Sequence, residues 1–116
     1  MTPETLNEII IHELDQLKAQ DILSIDVRTL THLSDYMIIC TATSSRHCES
    51  VFENLVQALK FKGVKPFRTD HQRKSDWVIA DYADVIVHIM LQDAREFYSL
   101  EKLWFQDEST AAISTA

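Results

Sequence analysis

The chain has 116 residues, 46% of them hydrophobic, with 11 Lys+Arg against 18 Asp+Glu and a formal net charge of −7. That length leads one to expect a single domain with no separate catalytic module, and the charged share of 25% is that of a folded chain rather than a disordered one. The acidic balance argues against bare nucleic acid as a nonspecific ligand and favours a basic macromolecular partner, while one Gly and two Pro exclude collagen-like, Gly-rich phosphate-loop and Pro-rich linker designs.

Thr2-Pro3 offers a cap and first turn, and Leu6, Ile10, Leu14 and Leu17 recur at helical spacing to about Ala19. Asp21–Val27 alternates, with Leu23, Ile25 and Val27 on one face, which predicts a half-buried strand. After a polar connection at Thr29–Ser34, the apolar run Asp35–Thr41 predicts a strand covered on both faces. Ser44-Ser45 opens a second helix whose stripe is Cys48, Val51, Phe52, Leu55 and Leu59. Gly63 stands where a left-handed terminator belongs, and Pro66 follows it. Pro66–Thr69 is expected to be a short strand and Asp70–Ser75 an exposed polar loop. Asp76–Ala80 and Val85–Leu91 read as strands joined by a tight hairpin at Asp81-Tyr82-Ala83-Asp84. Asp93–Trp104 has Ala94, Phe97, Tyr98 and Leu100 at spacings suited to one or two short closing helices, and the tail 107–116 lacks periodicity. The element order predicts an α/β fold in which helices flank a mixed β-sheet, with residues 1–106 as one domain.

The N-terminus carries Glu4, Glu8, Glu13 and Asp15 where a signal peptide needs a basic flank, and no apolar run approaches a membrane span. Cys40 and Cys48 show neither metal nor redox spacing, so both read as reduced thiols of a cytoplasmic protein. Charge is unevenly placed: residues 1–30 sum to −4, 31–43 to −1, 44–75 to +4 and 76–116 to −6. A basic partner is therefore expected on the acidic part from Asp76 onward, and the basic middle leaves RNA as a secondary contact.

Three kinds of chemistry can be weighed on the residues. The five histidines are dispersed, and His88 inside an apolar strand reads as a hydrogen-bonded structural residue, so no metal or cofactor is expected. Cys48 in the first turn of a helix, near Arg46 and His47, could be a thiol nucleophile, but its place in the apolar stripe favours burial. The turn from Cys40 to Ser45 could offer backbone N–H groups to phosphate in nucleotidyl transfer. Such chemistry also needs paired carboxylates, and Asp81 and Asp84 sit across a hairpin rather than along one strand face. An enzyme using the Ser44–Cys48 helix start is thus the alternative reading, not the leading one. Trp77 at a strand start, beside Ser75 and Asp76 and close in sequence to Tyr82, suits an interface anchor with a polar rim. The competing assignments are Trp77 as core beneath the first helix, and Tyr98 and Trp104 as core packing of the last helices.

The stretches DILSIDVR (21–28), SDYMIICTATSSRH (34–47), DWVIADYADVIVHIM (76–90) and AREFYSLEKLW (94–104) together resemble the iojap-like ribosomal silencing factor family, from about Leu6 to Trp104. The resemblance implies a nucleotidyltransferase-like fold without catalytic carboxylates, and so no enzyme. It implies binding to the large ribosomal subunit through large-subunit ribosomal protein fourteen, which blocks the small subunit and damps translation in stationary phase or nutrient limitation. It also implies a homodimer, and it makes ribosomal RNA the secondary contact that the basic middle leaves open. On that reading Trp77 is the anchor, with Asp81, Tyr82 and Asp84 on the hairpin and Glu96 and Tyr98 on the following helix facing the basic partner. Ala83 stands where many members carry Gly, so a positive φ there would strain the turn. The tail after Trp104 lies outside the shared pattern.

Overall fold

The computed structural model describes residues 1–72 and 75–105. Helix α1 (Pro3–Gln16) begins at Thr2, whose hydroxyl accepts from the Thr5 N–H, and buries Leu6, Ile10 and Leu14. It stops three residues before the expected Ala19. Lys18 takes a left-handed φ of 65°, and the Lys18 and Ala19 N–H groups close back onto the Asp15 and Leu14 carbonyls at 3.0 Å. Strand β1 (Gln20–Asp26) then pairs antiparallel with β2 (Tyr36–Ala42), with an irregularity in the register between Gln20 and Leu23.

Helix α2 (Ser45–Phe61) is capped by Ser44, whose hydroxyl accepts from the His47 N–H, and buries the predicted stripe Cys48, Val51, Phe52, Leu55 and Leu59. Gly63 has φ 83°, and the Val64 N–H reaches back to the Leu59 carbonyl at 2.9 Å. Strand β3 (Arg68–Asp70) starts later than predicted, because Pro66 has no N–H to give. Phe67 donates to the Asp81 carbonyl at 2.7 Å just before the strand begins. Strands β4 (Trp77–Asp81) and β5 (Val85–Leu91) form the hairpin, and α3 (Gln92–Tyr98) and α4 (Leu100–Phe105) close the described chain.

The sheet order is β1-β2-β5-β4-β3, with β2 and β5 parallel in the centre and the other pairs antiparallel, as expected for a mixed sheet. Both faces of that central pair are covered. On one side α1 and α2 pack Ile10, Leu14, Val51 and Leu55 against Ile38, Cys40, Val78 and Ile89. On the other, Ile25, Val27, Met37, Ile39 and Met90 pack with Ala94 of α3 and with the half-buried Trp77 and Leu100. A tryptophan beneath the first helix is therefore not what the fold provides; Trp77 lies on the opposite face.

The hairpin tip is tightly built. Ala83 takes φ 70°, and the Asp84 N–H closes on the Tyr82 carbonyl at 2.8 Å, a γ-turn centred on an alanine. The left-handed backbone costs an alanine about 1 kcal/mol. The Asp81 carboxylate offsets part of that by accepting from the Ala83 N–H at 2.8 Å. The expectations for Trp104 packing and for the tail 107–116 fall outside what the structure describes.

Candidate functional site

The face of β4 and β5 turned away from α1 and α2 carries an aromatic step. Alternation along β4 sends Val78 and Ala80 into the core under α2 and leaves Trp77 on the other face, beside its cross-strand partner Met90. The Trp77 indole N–H donates to His88 Nδ1 at 3.0 Å. Its ring lies 4.6 Å from the Tyr98 ring at 46°, and Tyr98 meets Phe97 edge-on at 5.0 Å and 89°. Trp77 is half-buried, while Tyr98 is 49% and Phe97 80% exposed. Two aromatic rings on a short helix thus extend an indole that the sheet holds in place. The two short closing helices are as expected, but of the residues on α3 only Ala94 is buried, so Tyr98 is not core packing; α3 ends after seven residues at Ser99, itself left-handed with φ 50°.

His88 fixes the orientation of that indole. An indole N–H can only donate, so His88 Nδ1 must present its lone pair and the neutral ring carries its proton on Nε2. Burial drives the His88 pKa down from 6.5 to about 4, with the Asp81 carboxylate acting in the opposite direction. The unfolded chain therefore takes up a proton on this residue near pH 6.5, whereas the folded chain does so only near pH 4. Stability is expected to fall as pH drops through that window, by up to about 3 kcal/mol. Urea midpoints measured at about pH 7 and about pH 4.5 check this. His88→Gln, which can still accept from Trp77, should flatten the profile, and an unchanged slope would assign it to other groups.

The structure does not bring the six sequence-predicted contact residues together. Trp77 and Tyr98 touch, and Glu96 sits on the same helix, exposed and accepting from Gln92 Nε2 at 3.0 Å. The hairpin tip lies about 13 Å away, the length of β4. There Asp84 is exposed, whereas Asp81 and Tyr82 are buried. The Asp81 carboxylate is occupied by Arg68 Nε at 3.1 Å and by the Ala83 N–H. Tyr82 points into the helix-covered core, where burial raises its phenol to about 12. Neither side chain is offered to a partner. The Tyr82 placement was readable from parity, since residues 77 and 82 differ by an odd number and so face opposite ways.

A scan against protein-family models matches residues 1–115 to "Ribosomal silencing factor during starvation". The chain belongs to the ribosomal silencing factor family. It is 44% identical over 99 residues to the ribosomal silencing factor of Haemophilus influenzae, an alignment covering 85% of this chain and 97% of that one. The mouse protein named for mitochondrial assembly of the ribosomal large subunit is 32% identical over 84% of this chain and 44% of its own length. A crystal structure of a Chromobacterium violaceum protein superposes with a TM-score of 0.86 at 32% identity, covering 90% of this chain and 87% of that one. The family is one of ribosome-associated silencing of translation, and its members' names are regulatory rather than enzymatic.

The Ser44–Cys48 helix start, the seat of the alternative enzymatic reading, is built for structure. Ser44 is spent as the cap. His47 Nδ1 accepts from the Thr43 N–H at 3.0 Å, and Nε2 faces the Leu17 carbonyl at 3.1 Å, which ties α2 to the end of α1. The Cys48 thiol is fully buried, donates to the Ile89 carbonyl at 3.5 Å, and is raised by burial to about 11, the reverse of what a nucleophile needs. Beside this turn, Asp76 and Asp93 line a hollow of about 500 Å³ with Thr41 and Thr43, a pairing that the sequence did not reveal. Among the described residues, no three His, Cys, Asp or Glu side chains gather as a metal site, and no helix is long and apolar enough to cross a membrane.

Proposed function

We propose that the chain binds the large ribosomal subunit through large-subunit ribosomal protein fourteen and so keeps the small subunit from joining. The observation that carries this reading is the half-exposed step Trp77–Tyr98–Phe97 on the sheet, in a stretch, residues 76–116, whose sequence sums to −6. An aromatic anchor desolvates a pocket on the partner, while surrounding acids meet Lys and Arg and steer encounter. Of the acids predicted to face the partner, Glu96 beside the step and Asp84 at the hairpin tip are exposed; Asp81 and Tyr82 hold the hairpin. The name of the mouse relative supports a large-subunit partner.

Such a factor acts by occupancy. It needs no catalytic group, only a concentration above its dissociation constant on a surface that two subunits must share. Damped translation in stationary phase or under nutrient limitation follows from that competition, in a cytoplasmic setting. The test is subunit joining followed by light scattering. Pre-incubating purified large subunits with the chain should lower the yield of joined ribosomes in proportion to occupancy, and pre-incubating small subunits should not. An undiminished yield at saturating chain would overturn the proposal.

A further inference from the structure

The structure reshapes the basic middle of the chain. Of its seven bases, Arg46 lies at the far end of α2, about 22 Å from the helix C-terminus. Arg68 is held by Asp81, and Arg73 and Lys74 lie outside the described residues. What remains is one turn, Lys60-Phe61-Lys62-Gly63-Val64-Lys65-Pro66-Phe67, with three lysines and no acid. All three lysines are exposed, and so are both phenylalanines, Phe61 at 83% and Phe67 at 75%.

Ordinary structural roles explain only part of this. Lys60, in the last turn of α2, complements the negative end of the helix dipole. That gives no reason for two bare aromatic rings. Phe61 stands on the solvent face of α2, one turn after the exposed Gln57 and away from the buried stripe. Phe67 is anchored through its backbone to Asp81, outside the sheet core. The left-handed Gly63 and the Val64–Leu59 closure tie the backbone of the turn to the end of α2, so the rings and ammonium groups project from a fixed stretch of chain.

We propose that the Lys60–Phe67 turn is a docking surface for single-stranded or looped RNA, with the lysines on phosphates and Phe61 and Phe67 stacking on unpaired bases. Stacking tolerates any base, and a compact positive patch suits a short stretch of backbone. A membrane surface would require a continuous apolar face, whereas here lysines separate the two rings. The proposal rests on the ribosome-bound reading only for the source of the RNA; the chemistry stands without it.

The probe is a fluorescein-labelled ten-nucleotide uridine-rich RNA, followed by anisotropy across a salt series with the whole chain. Three lysine–phosphate contacts predict a slope of log K against log salt of about −2, a loss of about 16-fold between 50 and 200 mM salt. The triple variant Lys60→Gln/Lys62→Gln/Lys65→Gln should flatten the slope. Phe61→Ser/Phe67→Ser should weaken binding by about tenfold or more while keeping the slope. All five side chains are exposed, so thermal melting should place both variants with the parent. Each variant should still bind isolated large-subunit ribosomal protein fourteen, which separates this surface from the aromatic step. The proposal is overturned if the oligomer gives no saturable signal or if both variants bind it like the parent. It is equally overturned if phosphatidylserine vesicles compete the RNA away through the same residues, or if the variants act by abolishing self-association in sedimentation velocity.

Discussion

Trp77→Ala is expected to abolish co-sedimentation with the large subunit at concentrations where the parent pellets fully. A buried aromatic at an interface centre typically contributes about 2–4 kcal/mol, which is roughly a 30- to 1,000-fold loss in affinity. The indole is suited to that part because the sheet fixes it from below, through the His88 hydrogen bond at 3.0 Å and the Met90 side of the core. Its outer edge meets Tyr98, itself only half covered. The substitution also strips His88 of its donor, so some loss of stability accompanies it. Two variants separate the effects. Trp77→Phe loses the N–H but keeps most of the ring, and should bind more tightly than Trp77→Ala at comparable stability. Phe97→Ala removes an exposed ring, should leave melting within about 0.5 kcal/mol of the parent, and should weaken binding. If Trp77→Ala travels with the large subunit as the parent does, the aromatic step is not the anchor.

Leu55→Ala is expected to cost about 2–5 kcal/mol of stability. Leu55 is fully buried at the middle of α2, in the cluster that joins both long helices to the central strands. The cavity cannot be filled easily, because its walls are a helix, a parallel strand pair and a hairpin whose positions are each set by backbone hydrogen bonds. Urea unfolding with an unchanged m-value checks it. A loss below about 1 kcal/mol would mean that α1 and α2 slide together more freely than their packing indicates.

The contrast between these two sites shows what a sequence of this kind reveals. Leu55 was legible because helical periodicity is local: Cys48, Val51, Phe52, Leu55 and Leu59 declare one face without knowledge of what covers it. The strands of the hairpin were legible for the same reason, whereas the positive φ of Ala83 was suggested only by the family resemblance. Trp77 could be placed on a strand, but its neighbours could not, since Tyr98 comes from an element 21 residues later and His88 from the facing strand. Asp81 was misread as an exposed acid because its partner Arg68 lies on β3, a three-residue strand with almost no sequence signal of its own. The core assignment for Tyr98 failed because a seven-residue helix allows a hydrophobic spacing to repeat while only Ala94 meets the core. What the chain concealed were pairings between distant segments, and those decide which polar groups are free for a partner.

The parallel pairing of β2 with β5 has a consequence for how the molecule comes into being. Tyr36 sits opposite Val85 and Ala42 opposite Leu91, so the middle ladder joins segments 49 residues apart. Closing so large a loop costs entropy before any contact rewards it, a cost that is reduced when α2, which lies in the interval, is already formed. A nascent chain therefore cannot assemble its centre until residue 91 has been made. Until then β1, β2 and the α2 stripe have no completed sheet to cover them, and the half-made chain is a natural client for chaperones.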